Sequence, residues 1–123
     1  AVMAASVARG SYIEPALIHS PTVPGADRIP KPLDTKAAGQ LRQLMRLVVT
    51  DGTAREQLKG VPGLPVYGKT GTAEHGTNTP PDTRAWFVGW QGNVAFAVLV
   101  EEGRSGATVA APLAKAFLTN LRR

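Results

Sequence analysis

The chain has 123 residues, 43% of them hydrophobic, enough for one domain with a modest core and too many for a disordered segment. It has no cysteine, which excludes disulfide frameworks and thiolate metal clusters, and its longest apolar run, Val94 to Val100, is far too short to cross a bilayer. A net charge of +5 admits an anionic partner, but the basic residues are scattered without a dense run, so a solvated basic surface is favoured over a nucleic-acid patch.

In chain order, Ala1 to Gly10 places Val2, Met3 and Val7 near helical spacing ahead of a glycine stop. No capping residue precedes this run, so it reads as a helix entered midway, with the expectation that the chain is cut from a longer protein. Tyr12 to Ile18 reads as a short extended piece. Pro21, Pro24, Pro30 and Pro32 then make Ser20 to Leu33 an irregular connection, because proline lacks the donor a ladder needs. Asp34 or Thr35 caps the next helix, whose Leu41, Leu44, Met45 and Val48 follow i, i+3, i+4, i+7 and are expected in the core, with Gly52 as the stop. A glycine-bearing stretch, Gly52 to Gly63, follows with a single helical turn around Arg55 to Leu58.

Three strands and a closing helix are predicted beyond it. Leu64 to Glu74 is the first strand, with Pro65 only at its start. Trp86 to Gln91 is the second, and Gly92-Asn93 supplies the positive φ values of a hairpin turn into the third, Val94 to Glu101. The third strand is apolar on both faces, the pattern of a strand covered on both sides. From Ser105 to Leu121, Val109, Leu113, Phe117 and Leu121 form one helical stripe, with Pro112 bending the helix or restarting it. The short Gln91-Gly92-Asn93 turn, and the loop before Trp86, predict an antiparallel three-strand meander in chain order with the closing helix across one face.

The chemistry concentrates in Val66-Tyr67-Gly68-Lys69-Thr70-Gly71-Thr72-Ala73-Glu74. Strand alternation sends Thr70 and Thr72 to one face and Lys69 and Gly71 to the other. Two hydroxyls, exposed main-chain N–H groups and a lysine charge suit an extended peptide ending in carboxylate, bound as an added strand. Gly71, without a side chain, admits another element at close range. A lone Lys-Thr-Gly tripeptide is weak evidence and is commonly an ordinary turn. Here it stands inside a predicted strand, preceded by a helix and Gly52-Thr53-Ala54, and followed by Trp86-Phe87-Val88-Gly89, an apolar strand and a helix.

That order resembles the end of class B penicillin-binding proteins of actinobacterial type, over essentially the whole chain, with Gly68 to Glu74, Ala85 to Gly89 and Ala95 to Glu102 carrying the likeness. The resemblance implies an α+β fold: residues 1–123 would be the C-terminal portion of one serine β-lactamase/penicillin-binding transpeptidase domain. It implies that Lys69 steers the donor and supports the proton relay. Thr70, Gly71 and Thr72 would line the substrate site, the two threonines binding the terminal carboxylate of a D-Ala-D-Ala stem peptide or of a β-lactam. The Thr72 main-chain N–H would form half of the oxyanion hole, a donor worth about 10² to 10³ in rate.

One departure from that family is decisive. Three positions after Ser6, Ser11, Ser20 and Ser105 stand Arg9, Glu14, Val23 and Thr108, and two positions after them stand Ala8, Ile13, Thr22 and Ala107. Neither a Ser-x-x-Lys nor a Ser-x-Asn box is present, so the chain alone is not expected to be active, and serine acyl transfer needs the N-terminal remainder of the same protein. The expected activity is then peptidoglycan D,D-transpeptidation, with stem peptides, β-lactams and a membrane glycan polymerase as partners. No cofactor and no nucleic acid are implied. The location implied is the extracytoplasmic face of the membrane, with an anchor outside this chain. The alternatives are a β-lactamase or penicillin-recognising sensor of the same fold, and a small basic nucleic-acid-binding module. The latter would need exposed aromatics among clustered basic residues.

Other residues have plainer readings. His75 is expected in a solvent-facing loop running to Arg84, and His19 as structural. Glu101 and Glu102 are adjacent on a strand end and point apart. Trp86 and Trp90 share a face with Val88 and read as core. No metal-ligand spacing appears in the sequence.

Overall fold

The computed structural model describes residues 1–15 and 29–121. Most of the expected proline-rich connection, with His19, lies outside them. Helix α1 (Val2–Arg9) ends on Gly10 in the left-handed region at φ 82°, where its N–H bonds to the Ser6 carbonyl. Strands β1 (Ser11–Tyr12) and β2 (Lys31–Pro32) form a two-residue antiparallel ladder, Ser11 opposite Pro32. A ladder at Pro32 corrects the expectation that this connection is irregular to its end; proline is tolerated because the pairing is so short and lies at an edge.

Helix α2 (Thr35–Thr50) starts as expected, with the Asp34 carboxylate accepting the Ala37 N–H at 2.7 Å. It ends where Asp51 and Gly52 both donate to the Leu47 carbonyl. A single turn, α3 (Arg55–Leu58), leads to the main sheet. Strands β3 (Val66–His75), β4 (Asp82–Gln91) and β5 (Val94–Val100) form an antiparallel meander in chain order, as the sequence predicts. Only Gly92 takes positive φ, at 58°; Asn93 does not, so the turn needs one left-handed residue rather than two. A π-helical segment, Gly106–Ala110, runs into α4 (Ala111–Asn120), whose first turn accepts Pro112.

Cross-strand partners share a face, so the register defines two layers. On one face, Val66, Ala85, Phe87 and Phe96 pack against Val49, Ala54, Leu58 and the inner side of α4. On the other, Trp90, Tyr67 and Ala95 pack against Ala4 and Val7 of α1 and Met45 of α2. Helix α2 therefore crosses the edge of the sheet at β3 and contributes to both cores. Arg42 ties α1 to α2 by donating to the Val7 carbonyl at 2.9 Å.

Three expectations about faces are corrected. Leu41 and Leu44, expected in the core, are 44% and 59% exposed, and the buried residues of α2 are Ala38, Met45 and Val49. Half of that apolar stripe has no described element opposite it. Strand β5 is an edge strand covered on one side: Phe96 is buried, while Ala97 and Leu99 on the opposite face are exposed, because α1 reaches only as far as Ala95. In the closing helix the buried residues are Ala110, Ala111, Ala114 and Leu118, with Leu113 half exposed. The small alanines let the helix lie close to the sheet, which rotates the inner face away from the Leu113 stripe.

Candidate active site

Strand β3 forms one edge of the sheet, and its outward main-chain groups can be identified from their partners. The Val66 carbonyl accepts from Arg46 Nη1 at 2.8 Å, and the Thr70 carbonyl accepts from Lys69 Nζ at 2.6 Å. In an antiparallel pair the N–H and C=O of one residue point to the same edge, and successive residues alternate. Val66, Gly68, Thr70 and Thr72 thus direct their main-chain groups away from β4. The Thr72 N–H lies on that open edge, beside a lysine ammonium already anchored there.

The side chains divide as expected. Thr70 and Thr72 lie opposite Phe87 and Ala85, and Lys69 and Gly71 opposite Val88 and Trp86. The two threonines differ in environment. Thr70 is only 8% exposed, and its hydroxyl shares a 2.8 Å hydrogen bond with that of Thr53, in the turn between α2 and α3. Thr72 is exposed; its oxygen accepts from the Gly106 N–H at 3.3 Å, leaving its own O–H to donate.

Close packing against the strand occurs at Gly71, as expected, but the glycine it demands is Gly106. A Cβ on Gly71 would meet nothing nearer than the Trp86 Cβ at 3.3 Å. One on Gly106 would come within 2.8 Å of the Gly71 nitrogen, and closer still to the carbonyl oxygens of Gly71 and Trp86. Sequence reasoning missed both Thr53 and Gly106 as neighbours of the site. In the sequence, Gly52-Thr53-Ala54 reads only as a step before the strand, with no signal of a contact to it.

The opposite side of β3 is fixed by stacking. Tyr67 lies parallel to Trp90 at 4.7 Å, with the Arg46 guanidinium 5.9 Å above the Tyr67 ring centre. Trp90 is core, as read, and Trp86 is half-buried. An open groove of about 820 Å³ runs over Met3, Val7, Leu41, Leu44 and Leu47 and reaches Lys69.

His75 is not a loop residue: it ends β3 opposite Asp82, and its Nε2 is buried without a hydrogen-bond partner. The expected loop shrinks to residues 76–81 because β4 begins at Asp82. Glu101 and Glu102 follow the end of β5 and are exposed. Among the described residues, no group of three or more His, Asp or Glu is placed to hold a metal ion, and no helix is long and apolar enough to cross a membrane.

The fold is that of a known domain class. The family model for the penicillin binding protein transpeptidase domain matches residues 1–119, and the chain belongs to that family. Peptidoglycan D,D-transpeptidase PbpA of Mycolicibacterium smegmatis is 35% identical over 111 residues, which cover 80% of this chain and 21% of that protein. PbpA of Mycobacterium tuberculosis is 38% identical over 88 residues, covering 62% of this chain and 18% of that protein. The crystal structure of the D,D-transpeptidase domain of a peptidoglycan glycosyltransferase from Eggerthella lenta superimposes with a TM-score of 0.64 at 26% identity, over 94% of this chain and 30% of that one. The chain thus spans about a fifth of the length of these curated relatives.

Proposed function

We propose that these residues form the substrate-binding edge of a peptidoglycan D,D-transpeptidase whose nucleophilic serine lies in the remainder of the same protein. The observation that carries the reading is the edge of β3, where the Lys69 ammonium is held on the Thr70 carbonyl at 2.6 Å and the Thr72 N–H faces outward. A peptide carboxylate drawn to Lys69 and to the Thr72 hydroxyl must extend its chain toward Glu74, antiparallel to β3, as an added strand. The scissile carbonyl then comes to the Thr72 N–H, which stabilises the oxyanion formed when serine attacks. The C–N bond to the terminal D-alanine breaks, D-alanine leaves with a proton, and an amine of a second stem peptide takes the acyl group from the serine. A β-lactam would acylate the same serine and remain attached, because its leaving group is tethered. The names of the curated relatives favour this outcome over a β-lactamase or a sensor.

The uncovered apolar face belongs to the same reading. Met3, Leu41, Leu44 and Leu47 form a groove that ends at Lys69, and the relatives carry four-fifths of their length beyond the matched region. The nucleophile-bearing part of the domain is the occupant we assign to it. Covering the groove removes water around Lys69 and strengthens its attraction for a carboxylate. On this account the protein works at the extracytoplasmic face of the membrane, anchored by a segment outside these residues, with a glycan polymerase as a further partner.

The test is to incubate the full-length protein with a peptide ending in D-Ala-D-Ala and an amine acceptor. Release of D-alanine with formation of the acceptor-linked peptide supports the reading; absence of both from a folded protein overturns it.

A further inference from the structure

The Gly52-Thr53-Ala54 turn is built to hold one side chain in place. A Cβ on Gly52 would fall 2.8 Å from the Val48 Cα, so glycine is what lets the turn fold back onto the last turn of α2. Ala54 is fully buried, and its N–H donates to the Val48 carbonyl at 3.0 Å. Between these anchors, Thr53 is an exposed residue whose side chain reaches Thr70, its hydroxyl 2.8 Å from the Thr70 hydroxyl. The Thr70 carbonyl in turn holds the Lys69 ammonium at 2.6 Å. A continuous series of bonded groups thus runs from the end of α2, through two hydroxyls, to the charge at the open edge.

We infer that Thr53 is a positioning residue for the reaction: through Thr70 it fixes where Lys69 stands, without touching substrate itself. The inference rests on the reading of the β3 edge given above. It also changes the part played by Thr70, whose buried hydroxyl is engaged by Thr53 and acts on the substrate carboxylate indirectly. Thr53→Val keeps the branched shape and removes only the hydroxyl; Thr53→Ser keeps the hydroxyl. A residue that merely supported the fold would affect all substrates alike, whereas a residue that positions Lys69 matters only to substrates that present a carboxylate.

The experiment measures acylation of the full-length protein by benzylpenicillin and by its methyl ester, which lacks the carboxylate charge. Thr53→Val is expected to slow acylation by the acid about three- to tenfold, the scale of one net hydrogen bond, and to leave the ester rate unchanged. Thr53→Ser is expected to restore the acid rate. In a Thr70→Val background, Thr53→Val is expected to have no further effect, since the bond is already gone. An unchanged acid-to-ester ratio in Thr53→Val overturns the inference, whether both rates stay at wild type or fall together. A wild-type protein that acylates acid and ester equally overturns the reading of the edge itself, and this inference with it.

Discussion

Gly106 lies against Gly71 so closely that a Cβ would fall within 2.8 Å of the Gly71 nitrogen, while the Gly106 N–H donates to the Thr72 hydroxyl at 3.3 Å. The segment that starts the closing helix is therefore seated on the box strand and orients one of its two hydroxyls. Gly106→Ala is expected to destabilise the full-length protein by about 1–3 kcal/mol, because the nearest atoms are backbone and cannot swing aside. Thermal or urea unfolding checks this, and a wild-type midpoint would contradict it.

Arg46 joins three groups: it donates to the Val66 carbonyl at 2.8 Å and lies over Tyr67, which stacks on Trp90. Arg46→Ala is expected to cost about 2 kcal/mol, a charge-assisted hydrogen bond plus a cation–π contact. Arg46→Lys is expected to recover only part of it, since an ammonium keeps the charge without the planar group. Denaturant midpoints should fall from wild type through Arg46→Lys to Arg46→Ala; a wild-type midpoint in Arg46→Lys would show that the planar group over Tyr67 carries no stability.

The exposed leucines of α2 predict how residues 1–123 behave alone. Leu41, Leu44 and Leu47 line one groove, and among the described residues the sheet has no strand beyond β3 or β5. Such a surface associates. The isolated segment should show a mass that rises with concentration by light scattering, and Leu44→Lys should reduce that rise while destabilising the full-length protein. A segment that stays monomeric and unfolds cooperatively would contradict the assignment of this face to the rest of the domain.

The parts of the fold legible in the sequence were those set by strong local signals. Asp34 as a cap, Gly10 as a stop and the glycine turn at Gly92 were readable because backbone geometry selects those residues. Antiparallel pairing followed from the shortness of the turns. Faces were harder to read. Periodicity gives the Leu41-Leu44 stripe but not whether anything covers it, and in α4 the buried positions are alanines, which a search for large apolar residues passes over. The division of Lys69 from Thr70 was legible by alternation. The partners of the two threonines were not: Thr53 and Gly106 lie 17 and 34 residues away from Thr70 and Thr72, and a threonine or glycine in a turn has no signature of a distant bond.

Lys69 is the residue on which the assigned site depends most directly. Full-length protein, as wild type, Lys69→Ala and His75→Ala, is to be mixed with a fluorescent penicillin and the rate of covalent labelling followed on denaturing gels. The account predicts one adduct on a serine outside residues 1–123, formed at least about tenfold more slowly in Lys69→Ala because the charge that draws the carboxylate is gone, and at the wild-type rate in His75→Ala. Labelling of Lys69→Ala at the wild-type rate would contradict it, and the edge of β3 would then be a feature of the fold and not of the site.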